Sequence, residues 1–126
     1  MTHEDCDWCR GLPPVSPLVE NASFFALLDR YPVNHGHALI ISKRHVRDVF
    51  GLDETEFRRL HSILVDLKEI LDDRFHPDGY NIGANCGAVA GQTVFHFHLH
   101  VIPRYRNDVP DPRGGIRNLK PPLVPY

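Results

Sequence analysis

Thr93-Val-Phe-His-Phe-His-Leu-His-Val-Ile102 is a stretch in which apolar and histidine side chains take turns. Alternation of this kind has the two-residue period of an extended strand, whose successive side chains point to opposite faces. Phe95, Phe97, Leu99 and Val101 are expected on the core side and His96, His98 and His100 on the other, spaced about 6.6 to 6.8 Å along the strand. Pro103 comes next and is expected to end the pairing, because it has no N–H to give to a ladder.

Outward from this strand the other elements read in turn. Tyr80 to Asn85 predicts a strand and Gly87 to Gly91 a glycine-containing turn. Asp53 with Glu56 forms a helix-capping pair, and Phe57, Leu60, Ile63, Leu64, Leu67, Ile70 and Leu71 recur at steps of three and four residues. That pattern predicts one amphipathic helix of about five turns with its stripe against a sheet. Ser23 to Leu28 and His37 to Ser42 bracket the turn-forming Tyr31-Pro-Val-Asn-His-Gly36, which predicts an antiparallel hairpin. Strands with one long helix among them give an α+β fold on an antiparallel sheet of about five strands.

Size and charge bound what this fold can do. The 126 residues, 42% hydrophobic, suit one domain with one core, flanked by irregular Pro-rich stretches at 1–17 and 103–126. A formal net charge of -2, with 9 His counted neutral, offers no basic field for nucleic acid, so an anionic ligand must be held locally. No apolar run approaches the roughly 20 residues that span a bilayer, and no leader pattern is seen, so a soluble cytoplasmic protein is expected. Three cysteines, two of them in Cys6-Asp-Trp-Cys9, read as a metal or redox feature in a reducing compartment rather than a disulfide framework.

Three histidines in register on one strand face leave two chemical readings, a metal site or catalysis. Three alternate residues of a strand span about 13 Å, too far for one ion to reach all of them. Catalysis by the central residue, with its neighbours gripping an extended phosphate chain, fits the line better. A neutral imidazole is a competent nucleophile near pH 7, and a backbone carbonyl can orient its other nitrogen.

His96-Phe-His-Leu-His-Val-Ile102 resembles the H-φ-H-φ-H-φ-φ signature of the histidine-triad superfamily, where φ is apolar. Gly36-His-Ala-Leu-Ile-Ile-Ser-Lys-Arg-His45 is similar to the family's upstream element, with Ser42 in place of a usual proline. Gly91-Gln-Thr-Val94 and Pro103-Arg104 look like the branch of the fragile histidine triad hydrolases, and the likeness runs from about Cys6 to Arg104. It implies His98 as the nucleophile that forms a nucleotidyl-histidine intermediate, with His100 and His37 holding phosphate oxygens. It further implies Gln92, Thr93 and Asn85 near the scissile phosphate, Asp29 on the ribose hydroxyls, and Leu27 and Leu39 among the substrate contacts.

The activity so implied is hydrolysis of the phosphoric anhydride bonds of dinucleoside polyphosphates. A purine nucleoside phosphoramidase is the alternative within the family, and a nucleotide-binding regulatory protein with little turnover is the alternative outside catalysis. The resemblance also implies a homodimer that joins two sheets edge to edge. In zinc-containing relatives, residues matching Cys6, Cys9, His45 and His96 hold a structural zinc, which is the cofactor expected here. The tail carries Arg104, Arg106, Arg113 and Arg117 with Gly114-Gly115, and is expected to select long polyphosphates by backbone N–H and guanidinium contacts.

Overall fold

A computed structural model of the chain describes residues 5–10, 16–122 and 124. Strands β1 (Val19–Glu20), β2 (Phe24–Leu28) and β3 (Ala38–Ser42) are followed by helix α1 (Glu54–Phe75), then β4 (Gly79–Gly83) and β5 (His98–Arg104). The strands form one antiparallel sheet in the order β1-β2-β3-β5-β4, so the α+β class read from the sequence is the one observed. Residues 11–15 of the Pro-rich N-terminal stretch lie outside the described residues. Among the described residues no helix is long and apolar enough to cross a membrane.

Helix α1 forms where the apolar stripe predicts it. Asp53 Oδ1 accepts from the Glu56 amide at 2.8 Å and Glu56 Oε1 accepts from the Asp53 amide at 3.0 Å, a reciprocal pair that satisfies two amides at the helix start. The helix runs 22 residues, one turn past Leu71, and stops where His76 takes a left-handed conformation at φ 50°. Its Leu60, Ile63, Leu67 and Leu71 pack on Phe24, Ala26, Ala38, Ile40, Phe97 and Val101 to make the core on one sheet face. Phe57, expected in that stripe, is instead exposed, because the buried place in the first turn goes to Glu56. Arg44 holds that carboxylate through Nε at 3.0 Å and a second nitrogen at 2.7 Å.

Two expectations for the histidine strand are corrected. Strand β5 starts at His98, not Thr93: β3 ends one residue beyond Ile41, the partner of His98. Upstream of that pair the chain is held at Phe97, whose carbonyl takes the Ser42 amide at 3.3 Å and whose amide goes to the Val46 carbonyl at 2.7 Å. Phe95 consequently leaves the core, and the Arg47 guanidinium lies 4.6 Å over its ring. Pairing also continues through Pro103, opposite Tyr80, to Arg104. The Pro103 carbonyl accepts from Asn34 Nδ2 at 3.1 Å on the side away from β4, so its nitrogen points off the ladder and no strand hydrogen bond is lost.

Candidate active site and metal cluster

Register on the face opposite α1 gathers the site. Leu39 pairs with His100 and Ile41 with His98, while Leu27 pairs with Leu39, so Leu27, Leu39, Ile41, His98 and His100 share that face. The turn before β3 adds His37, and the one after β2 adds Asp29, whose amide donates to the His37 carbonyl at 2.8 Å. The turn needs Gly36, which sits at φ 84°, where a Cβ would come within 2.8 Å of the Phe75 ring. Leu27 is buried and Leu39 half-buried, making an apolar floor beside the imidazoles.

Hydrogen bonds fix the protons on three of these rings. The Val33 amide donates to His37 Nδ1 at 3.0 Å, so the proton of neutral His37 is on Nε2. His37 Nε2 lies 3.0 Å from His100 Nδ1 and 3.4 Å from Asp29 Oδ2. Donating to the former leaves His100 with its own proton on Nε2. His98 Nδ1 is 2.9 Å from the His96 carbonyl, which only accepts, so Nδ1 carries the proton and Nε2 keeps its lone pair. Burial pushes the pKa of His37 below the usual imidazole value, against the pull of Asp29. Burial, then His98 and His37, do the same to His100, again with Asp29 opposing.

The other histidine of the triad does something else. His96 is fully buried, not set on the open polar face expected of it. Its Nε2 is 2.6 Å from the Ser42 carbonyl, so that nitrogen is the donor and Nδ1 is the bare one. Nδ1 faces Cys6 Sγ at 3.3 Å, Cys9 Sγ at 3.4 Å and His45 Nδ1 at 3.0 Å. Cys9 Sγ is also 3.1 Å from His45 Nδ1. These four separations, 3.0–3.4 Å within a set whose ligand atoms all lie within 4.8 Å of one another, are near the edge lengths of a tetrahedron with Zn–N bonds of about 2.0 Å and Zn–S bonds of about 2.3 Å. The carbonyl behind His96 supplies the outer contact that metal-bound imidazoles make. Without a cation, burial and the neighbouring Cys6 push the Cys9 thiol up to about 11.

Asp29, His37 and His100 also bring three potential ligand atoms together. There the tautomer argues the other way, since the Val33 amide claims Nδ1 and leaves Nε2 protonated. That trio is arranged as a relay of donors, whereas the Cys6, Cys9, His45, His96 set could hold a metal ion.

Asn85, Gln92 and Thr93 lie on the loop before β5. Gln92 is buried and wholly engaged with the backbone: Oε1 accepts from the Gly87 amide at 2.9 Å, and Nε2 donates to the Arg47 and Val94 carbonyls at 2.7 and 3.2 Å. Its side chain fastens the Gly87–Gly91 turn, leaving no amide hydrogen for a ligand. Thr93 and Asn85 are exposed. In the tail, Arg104 is spent on Asp108 and Asn81, and Arg113 on Asp111. The Gly115 amide is given to the Pro112 carbonyl. The anion grip expected of this segment therefore loses two guanidiniums and one N–H. Instead, the Gly115–Arg117 turn lies against β4, with Ile116 Cδ1 3.5 Å from where a Gly83 Cβ would be.

Sequence reasoning gave no role to Trp8, whose ring centroid lies 5.0 Å from that of His98 and 5.6 Å from that of His96, both in edge-on arrangements. Its signal was its place inside Cys6-Asp-Trp-Cys9. The Val33 amide had none, being main chain.

An open antiparallel sheet covered by one helix, with a histidine pair on its bare face, defines a class, and comparison with known proteins agrees. The HIT domain model matches residues 14–107, and the chain belongs to the HIT family. A HIT-like protein of Mycoplasma genitalium is 38% identical over 100 residues, 79% of this chain and 71% of that one. A bis(5'-adenosyl)-triphosphatase of Dictyostelium discoideum is 38% identical over 84 residues, 67% of this chain and 56% of that one. An adenosine 5'-monophosphoramidase of Candida albicans is 31% identical over 110 residues, 82% and 72% of the two chains. Among solved structures, a HIT family protein from Bacillus anthracis superposes with TM-score 0.76 at 37% identity, covering 82% of this chain and 76% of that one. A Zn-bound histidine triad family protein from Mycobacterium smegmatis gives 0.73 at 31% identity, covering 87% and 86%.

Proposed function

We propose that the chain is a nucleotide hydrolase that cleaves dinucleoside polyphosphates at the α-phosphorus through His98. The observation that carries this is the His98 Nδ1 bond to the His96 carbonyl, which leaves Nε2 as an unprotonated nucleophile on the strand face it shares with His100. Nε2 attacks the α-phosphorus as the bond to the bridging oxygen breaks, and the remaining phosphate chain departs as an anion. Water then attacks the phosphorus and the P–N bond breaks. Nucleoside monophosphate and one proton leave, and neutral His98 is restored. His100 Nε2–H is a hydrogen-bond donor for the phosphoryl oxygens, where preorganised donors supply most of the stabilisation.

The relatives named as acting on bis(5'-adenosyl) triphosphate and on an adenosine monophosphoramidate share an adenosine 5'-phosphoryl group and differ in what leaves it. Burial lowers the pKa of His37 and of His100, which favours their neutral, hydrogen-bond-donating forms. A phosphate-chain leaving group departs as an anion and needs no proton from either ring, which suits the anhydride reading. Asp29 accepts from the Tyr31 amide through Oδ1 and keeps Oδ2 toward His37, a position from which a carboxylate could also take ribose hydroxyls. Gln92 serves by holding the loop that carries Asn85 and Thr93.

Cys6, Cys9, His45 and His96 are the residues that would hold zinc, and the ion would cross-link the N-terminal segment to the start of β5. A two-fold dimer fits β4, one of the two outer strands of the sheet, where Ile82 is exposed.

The test compares diadenosine tri- and tetraphosphate with adenosine 5'-phosphoramidate on the wild type and on His98→Ala. Faster turnover of the polyphosphates, an adenylyl adduct on His98 trapped by acid quench, and loss of both in the variant are expected. Preference for the phosphoramidate selects the alternative enzyme reading. Tight binding without turnover by the wild type replaces both with a nucleotide-binding protein.

A further inference from the structure

We propose that Trp8 is a positioning residue for His98, and that the Cys6–Cys9 clasp sets the nucleophile's orientation by holding this ring in place. The inference rests on the reading of His98 as nucleophile but adds a residue and a route that the reading does not contain. Residues 5–10 form a turn outside the sheet, tied locally by the Cys9 amide to the Cys6 carbonyl at 3.1 Å and by the Arg10 amide to the Cys6 and Asp7 carbonyls, each at 3.2 Å. Cys6 is buried and Trp8 half-buried. Both thiols turn toward His45 and His96, and Trp8, between them in sequence, falls across the neighbouring histidines.

A strand histidine has two soft torsions, and a single hydrogen bond at Nδ1 restrains the ring without fixing the pivot about that bond. Trp8 meets the His98 ring at 64° on one side, and His100 meets it at 69° with centroids 5.3 Å apart on another. These two edge-on contacts and the His96 carbonyl together define one orientation of Nε2. His100 is anchored by the sheet and by His37, whereas Trp8 belongs to the segment whose two cysteines meet His45 and His96. A filled cage would fix Cys6 and Cys9 beside His45 and His96, and Trp8 with them; an empty one would loosen a wall of His98 that the sheet does not supply. An aromatic contact of this kind is worth about a three- to tenfold population bias, so the effect belongs in kcat.

The chain has 1 Trp, so its emission reports this contact alone. Zinc-loaded wild type, Trp8→Leu and Trp8→Phe are compared with the same proteins after removal of zinc by a chelator. Zinc content is measured throughout, and His98 ring tautomers are followed by 15N NMR without substrate. Trp8→Leu is expected to keep one zinc, to lose part of the Nδ1-protonated His98 population, and to cleave diadenosine triphosphate roughly three- to tenfold more slowly at unchanged KM. Trp8→Phe is expected to recover most of both. Chelation should red-shift wild-type emission and slow the wild type by a similar factor, with little further effect on Trp8→Leu. An unchanged tautomer population and kcat in Trp8→Leu overturns the proposal, as does a rise in KM alone, which would make Trp8 a substrate contact. Equal slowing of wild type and Trp8→Leu on chelation overturns the route through Trp8. If His98→Ala retains activity, the nucleophile reading fails instead, and the tautomer and emission arms still decide whether Trp8 orients the ring.

Discussion

Replacing His37 separates a relay from a direct phosphate ligand. His37 is buried, takes the Val33 amide at Nδ1, and presents Nε2 to His100 Nδ1 at 3.0 Å. His37→Leu keeps the volume and removes that donor, so His100 is no longer biased toward the tautomer with its proton on Nε2. A neutral, partly buried hydrogen bond contributes about 0.5–1.5 kcal/mol net, which converts to a loss of about two- to tenfold in the competent population. kcat on diadenosine triphosphate should fall by that factor with KM nearly constant. His37→Gln, whose amide nitrogen can reach the same place, should recover part of it. The losses for His98→Ala should be larger by orders of magnitude. Steady-state kinetics with 15N NMR of His100 checks both halves. A loss of a thousandfold or more in His37→Leu, or a large rise in KM, would refute the relay and place His37 on the phosphate itself.

Three further outcomes follow from contacts described above. Gly36→Ala must hold a left-handed backbone and press a methyl group to 2.8 Å from the Phe75 ring, so urea denaturation should show a loss of about 2–4 kcal/mol. Gln92→Ala strands three backbone groups of the loop before β5, which should cost about 1–3 kcal/mol and raise protease sensitivity at Gly87–Gly91, as limited digestion would show. Glu56, with Arg44 foremost, is held at about 2 against an ordinary 4.5, so the unfolded chain binds the extra proton between those values. The stability it adds is whole above about pH 4.5 and drains away as pH falls toward 2; thermal melts across that window should be flatter in Glu56→Gln.

The fold was legible because its signals are clean: the three-and-four stripe from Leu60 to Leu71 found the helix, alternation found β5, and short apolar runs on either side of a turn-forming segment found β2 and β3. The limits of β5 were not, since an alternating sequence says nothing about where its partner strand stops. With β3 ending at Ser42, whose amide reaches the Phe97 carbonyl, Thr93 to His96 lie outside the ladder, and His96 sits in the thiol cage rather than on the open face. Pro103 was misjudged because the rule about a missing N–H depends on which way the nitrogen points, and that is set by register. The grouping of His37, Asp29, His98 and His100 came from motif resemblance, whereas their proton positions came only from geometry. Gln92 shows the converse, a polar residue beside the site whose hydrogen bonds all run to the main chain.

The Val33 amide, which decides the tautomer of His37, is a group that nearly every amino acid supplies. Val33 itself is 71% exposed, and its side chain has no part in the bond. The direction in which the histidines hand on their protons is thus indifferent to what is written at position 33, with one exception: proline there would erase the amide and leave the relay free to run either way.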